Sequence, residues 1–151
     1  MQLKVVPIQA GTVIDHIPPG RGRIVYRLLS EKIGSQPTVV LLNAPSTTRG
    51  KKDIVKMENV FITKDDIDII ALVAPEATIN VINGGKVTEK YAVKMPQRID
   101  GILKCLNPKC VTNAEREPLA TRFVVTNSPL KLRCEYCDKE YDDSLVSKDL
   151  V

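Results

Sequence analysis

Four cysteines, Cys105, Cys110, Cys134 and Cys137, stand in the pattern C-x4-C-x23-C-x2-C in the last third of a 151-residue chain. Thiolates are soft ligands, and two closely spaced pairs let two loops each offer two sulfurs to one ion at about 2.3 Å. A redox dithiol would use Cys134 and Cys137 but leave the first pair without a role. Two disulfides would suit a secreted scaffold, whereas the N-terminus, Met1-Gln2-Leu3-Lys4-Val5-Val6-Pro7, lacks the basic head, apolar stretch and cleavage site of a signal peptide. The reading that employs all four thiols is a tetrahedral ribbon around one Zn²⁺. Four thiolates close the coordination shell, so such a site is structural rather than catalytic, and the unit around it should not fold without metal.

A second kind of chemistry is suggested by charge. Through Gln97 the chain carries 13 Lys and Arg against 9 Asp and Glu, and from Arg98 onward 9 of each, so the whole excess of +4 belongs to the first part. An anionic ligand is therefore expected there. The one histidine, His16, follows Asp15, and by itself it reads as a locally hydrogen-bonded structural residue. Asp15 alone would be a turn acceptor, and Lys56, Lys90 and Lys94 solvated strand charges. Grouped differently, these side chains could form a nucleotide site, with Lys and His on phosphate oxygens and a carboxylate and lysine on ribose hydroxyls. The sequence has no GxGxxG and no Walker-type loop, so such a site would be a surface cleft built from side chains. No second His, Cys or activated Ser completes a catalytic set.

The elements that must position these groups can be read from periodicity. Leu3–Ile8 and Thr12–Ile17 are predicted strands, and Ile24, Val25, Leu28, Leu29 and Ile33 recur at helical spacing before Gly34. Thr38–Leu42 is a short strand, 43–50 a loop, and Lys52–Val60 another strand. Thr63 and Asp66 form a capping box that opens a second helix, whose Ile67, Ile70 and Ala71 face the core before Pro75 stops it. Thr78–Ile82 and Lys86–Val93 form a hairpin around Asn83-Gly84-Gly85. The fold class is thus α+β, a ferredoxin-like antiparallel sheet with two helices on one face, followed by a small all-β zinc ribbon. A boundary at Pro96 gives two domains, 1–97 for ligand binding and 98–151 for zinc. The second is too small to rest on hydrophobic burial alone, which is where a metal staple is needed. The longest apolar run, Ile69–Ala74, is six residues, far below the roughly 20 that cross a bilayer, so no membrane span and a cytoplasmic address are expected.

Zinc ribbons serve nucleic-acid binders and docking modules alike. Here the ribbon region is neutral before its thiolates are counted, and aromatics make up 4% of the chain with no Trp. Phosphate-backbone binding needs a basic surface and single-stranded binding needs stacking platforms, so docking on a protein is favoured and no nucleic acid is expected.

The runs Gly11-Thr12-Val13-Ile14-Asp15-His16-Ile17-Pro18, Gly50-Lys51-Lys52-Asp53-Ile54-Val55-Lys56-Met57-Glu58-Asn59 and Ala74-Pro75-Glu76-Ala77-Thr78-Ile79-Asn80-Val81-Ile82 resemble the signatures of aspartate carbamoyltransferase regulatory chains. So does Pro96-Gln97-Arg98-Ile99-Asp100 followed by the four cysteines. The resemblance implies a non-catalytic allosteric subunit of pyrimidine biosynthesis, with regulatory homodimers bridging catalytic trimers in an assembly of six chains of each kind. It implies CTP, ATP and UTP as effectors. By the same resemblance Ile8 and Val13 would flank the base, Asp15 and Lys56 hold the ribose, Asn80 and Ile82 line the cleft, and His16 and Lys90 meet the phosphates. Asn107 would touch the catalytic chain. Gln2 and Val6 depart from the lysine and acidic residue that family members often carry near the N-terminus and in the first strand, and Lys109 from the asparagine of one member.

Overall fold

The computed structural model describes residues 8–47, 50–116 and 119–148. The expected first strand lies outside them except for Ile8, as do Gln2 and Val6.

Among the described residues, five strands form the first sheet: β1 (Gly11–Ile17), β2 (Thr38–Ser46), β3 (Gly50–Glu58), β4 (Thr78–Asn83) and β5 (Lys86–Ala92). They run in the order β2-β3-β1-β4-β5, every pair antiparallel. Between them come α1 (Gly22–Leu28) and α2 (Ser30–Ile33) after β1, and α3 (Lys64–Val73) after β3. Leaving β5 aside, this is the βαββαβ order of the ferredoxin-like fold. Strand periodicity explains the layers. Ile14, Val55 and Ile79 pair side by side across β1, β3 and β4 and are fully buried, as their shared sheet face requires. Val25, Leu29 and Ile33 from the first helical segment and Ile70 and Val73 from α3 close over that face.

Glycine is required where β1 meets β3: a Cβ on Gly11, whose φ is +143°, would lie 2.0 Å from the Met57 carbonyl oxygen. Gly84 and Gly85 both take positive φ in the β4–β5 turn, as the Asn-Gly-Gly run predicts.

Two local expectations are corrected. The single helix expected over 24–33 is broken at Leu29, whose N–H is shared between the carbonyls of Val25 and Tyr26, while the Ser30 hydroxyl takes the Arg27 carbonyl. A serine competing for helix carbonyls is the physical cause. Residues 43–46, expected as loop, belong to β2. The strand bulges between Leu41 and Ala44, Asn43 takes φ +58°, and its N–H is drawn to the buried Asp53 carboxylate at 2.9 Å. Pro45 is tolerated because β2 is an edge.

A second antiparallel sheet follows, ordered β6 (Arg98–Asp100), β7 (Arg122–Thr126), β8 (Lys131–Cys134) and β9 (Glu140–Tyr141), and α4 (Ser144–Lys148) ends the described chain. Phe123 and Leu132 fill its centre, with Tyr141 edge-on to Phe123. Leu145 and Val146 of α4 are buried, and Val146 shares a cleft of about 510 Å³ with Leu29, Ile69 and Leu103, so the two units meet there. No helix among the described residues is long and apolar enough to cross a membrane.

Candidate metal centre and open sheet face

The four sulfurs converge because two tight loops are tied to the second sheet. In the first, Cys110 N–H donates to the Asn107 carbonyl at 3.0 Å, and the Asn113 amide donates to the carbonyls of Cys105 and Asn107 at 2.7 and 2.8 Å. In the second, Cys134 N–H donates to Lys139 and Asp138 N–H returns to Cys134, each at 2.9 Å, with Asp138 at φ +62°. The four Sγ atoms lie within 4.8 Å of one another. Two of the separations are 3.6 Å, Cys105 to Cys137, and 3.7 Å, Cys110 to Cys134. A tetrahedron with bonds of about 2.3 Å has edges of about 3.8 Å, whereas a disulfide needs about 2.05 Å. The donor set therefore fits one tetrahedral metal and no disulfide.

The surroundings suit thiolates held by a cation. Burial pushes the Cys134 thiol up to about 12 and raises Cys105 as well. For Cys137 burial acts the same way, but the Lys139 N–H and the Asn107 side chain outweigh it and bring the thiol to about 7. The Thr112 hydroxyl donates to Cys110 Sγ at 3.1 Å, and Tyr141 Oη lies 3.5 Å from Cys105 Sγ. Such supporting donors orient metal ligands. All four ligands come from protein, so no coordination position remains for substrate.

Of the other candidate residues, Val13, Asp15, Lys56, Asn80, Ile82 and Lys90 fall on the sheet face opposite the helices. Val13 pairs with Lys56 on β3 and with Asn80 on β4, and Asn80 pairs with Lys90 on β5. Lys56, Val13, Asn80 and Lys90 thus form one transverse row across four strands, about 14 Å long. Two residues along, Asp15 pairs with Thr78, and at the other end Ile82 pairs with Gly11. The register shifts between Ile14 and Ile17, His16 takes φ +59°, and its Nδ1 lies 3.1 Å from Thr78 Oγ1. The bulge thereby brings His16 beside this face although it adjoins Asp15 in sequence. Ile8 is half-buried just before β1. Asn80 is tied to the Val13 carbonyl at 3.3 Å.

Sequence reasoning missed Lys52, Ile54 and Thr78, which period-two alternation from Lys56 and Asn80 puts on the same face. Lys52 Nζ pairs with Asp15 at 3.1 Å. It also missed Asp53 as the buried acid beneath that face.

Two family models match the chain: the aspartate carbamoyltransferase regulatory chain allosteric domain over residues 3–94, and the metal binding domain of the same chain over 97–147. The chain belongs to the aspartate carbamoyltransferase regulatory chain family. Proteins bearing that name are similar to it over nearly their whole lengths. The one from Methanococcus maripaludis is 47% identical over 98% of this chain and 99% of its own. That from Pyrococcus horikoshii is 45% identical over 99% of both. That from Methanocorpusculum labreanum is 50% identical over 97% of this chain and 90% of its own. Family membership makes this a regulatory, non-catalytic chain. It also agrees with the four-cysteine cluster in giving the second unit one structural metal, consistent with zinc.

Proposed function

We propose that the chain binds a nucleotide effector, CTP, ATP or UTP, on the open sheet face and passes the binding energy to an aspartate carbamoyltransferase catalytic subunit docked on its metal-binding domain. Regulatory homodimers would hold catalytic trimers together in a cytoplasmic assembly of six chains of each kind. The observation that carries the reading is the transverse row, which puts two lysines, an amide and an apolar side chain side by side with Asp15 and His16 at its edge. Val13, Ile82 and the backbone near Ile8 offer a base its apolar walls and its edge contacts. Lys56 and Asp15 reach ribose hydroxyls, while Lys90 and His16 supply cationic or donor groups to phosphates. Asn107, in the first metal loop, belongs to the docking surface. Binding can shift activity only through different affinities for the low- and high-activity states of the assembly, with CTP favouring the former and ATP the latter.

The test is calorimetric titration of the zinc-loaded chain with CTP. Lys56→Ala removes a charge-assisted hydrogen bond and should weaken binding by at least about tenfold. Wild-type affinity in that variant would place the ligand elsewhere.

A further inference from the structure

The Lys52–Asp15 pair on the open face is covalently adjacent to a second, unrelated carboxylate. Asp53 follows Lys52 on β3 and points to the opposite side of the sheet, where it is fully buried. Its Oδ2 accepts from the N–H groups of Gly20 and Gly22 at 3.0 and 2.9 Å, and its Oδ1 from Asn43. Gly22 can be nothing larger, because a Cβ there would lie 2.8 Å from the Asp53 Cβ. The residue between those two glycines is Arg21, so Asp53 fixes its backbone from both sides. Arg21 Nη1 in turn donates to Asp143 Oδ2 at 2.5 Å, across 122 residues of sequence, at the entrance to α4. From Asp143 the chain leads forward to the buried Leu145 and Val146, and back to Tyr141, whose hydroxyl lies 3.5 Å from Cys105 Sγ.

We infer that the Arg21–Asp143 ion pair, with its arginine seated by Asp53, is the relay through which ligand on the open face acts on the metal-binding domain. This rests on the nucleotide reading proposed above. A nucleotide that engages Asp15 competes with Lys52 for it, and any shift of Lys52 along β3 moves Asp53 and the Gly20–Gly22 turn with it. The pair suits a switch better than a clamp: its side chains keep 38% and 30% of their exposure, so it can be broken and remade while it holds the start of α4. A cleft of about 510 Å³ lined by Ile69 of α3 and Val146 of α4 lies between the units, so α4 has room to move relative to α3.

Coupling of this kind is established by a double-mutant cycle. Arg21→Gln, Asp143→Asn, the double variant and the charge exchange Arg21→Asp with Asp143→Arg are each assembled, zinc-loaded, with the cognate catalytic subunit. Two quantities are read: CTP affinity of the full chain by calorimetry, and the CTP-induced shift in half-saturating aspartate. The relay predicts affinity within about twofold of wild type, a shift reduced by at least half in each single variant, no further loss in the double, and recovery in the exchange. A full shift in either single variant, or additive losses in the double, overturns it. If the wild-type chain itself does not bind CTP, the nucleotide reading fails first and the relay with it. Amide exchange across α4 in the full chain, measured without nucleotide, gives a readout independent of activity. Arg21→Gln should accelerate it with zinc content unchanged, and unchanged exchange counts against the relay.

Discussion

Asp53 shows how much one side chain can organise. Three backbone N–H groups, two from the turn into α1 and one from the bulge in β2, end on its carboxylate in a site without solvent exposure. Asp53→Ala orphans all three donors and should cost on the order of 3–5 kcal/mol, read as a fall in the urea midpoint at constant slope. A loss below about 1 kcal/mol would mean that water replaces the carboxylate. Alternation along Lys52-Asp53-Ile54-Val55 carries the signal that Asp53 faces the core, but the strand was read without placing it there. Its donors lie 33, 31 and 10 residues away, and no local pattern in the sequence names them. The cysteines were legible for the opposite reason, since ligand type and spacing are local and the loops that gather the sulfurs are short. Val13, Lys56, Asn80 and Lys90 are intermediate: each strand was readable, but their meeting in one row depends on register between strands.

At the scale of elements, α3 begins where the sequence says it must. Thr63 Oγ1 accepts from Asp66 N–H at 3.4 Å, and Thr63 N–H donates to the Asp66 carboxylate at 2.8 Å. Burial works against the Asp66 carboxylate, but hydrogen bonds from Lys32 and from the Thr63 N–H and hydroxyl outweigh it and hold its pKa below the ordinary aspartate value. Because the folded value is the lower one, the stabilisation is complete above the unfolded value and is lost as pH falls through the folded value. Asp66→Ala should therefore cost about 1 kcal/mol at neutral pH, with the difference from wild type shrinking in acid. An equal difference at every pH, in parallel urea titrations, would show that the box is not electrostatic. The capping box and the Gly84-Gly85 turn were legible because their partners are three residues apart or fewer. The break at Leu29 and the continuation of β2 through Pro45 were not. The first depends on which carbonyl Ser30 takes, and the second on a bulge anchored by Asp53.

For the whole molecule, the sequence marks two units, and their different supports lead to different responses. The first sheet has its own core of Ile14, Val55, Ile70 and Ile79, whereas the second is gathered around four thiols. Chelation should unfold the second unit and leave most of the first, seen as loss of amide protection from β6 to β9 with β1, β3 and β4 still protected. Retained protection in β7 and β8 without metal would contradict a structural role for the ion. The contact of α4 with the first unit, through Arg21, Asp143 and Val146, was invisible in sequence because it joins segments more than 70 residues apart. In the proposed function, ligand on one unit governs a partner docked on the other. The most direct measurement is the aspartate saturation curve of the cognate catalytic subunit, with and without the zinc-loaded chain, in the presence of CTP and of ATP. The curve should move to higher aspartate with CTP and to lower with ATP only when the chain is bound; an identical curve under all conditions, despite demonstrated association, would rule out the proposed coupling.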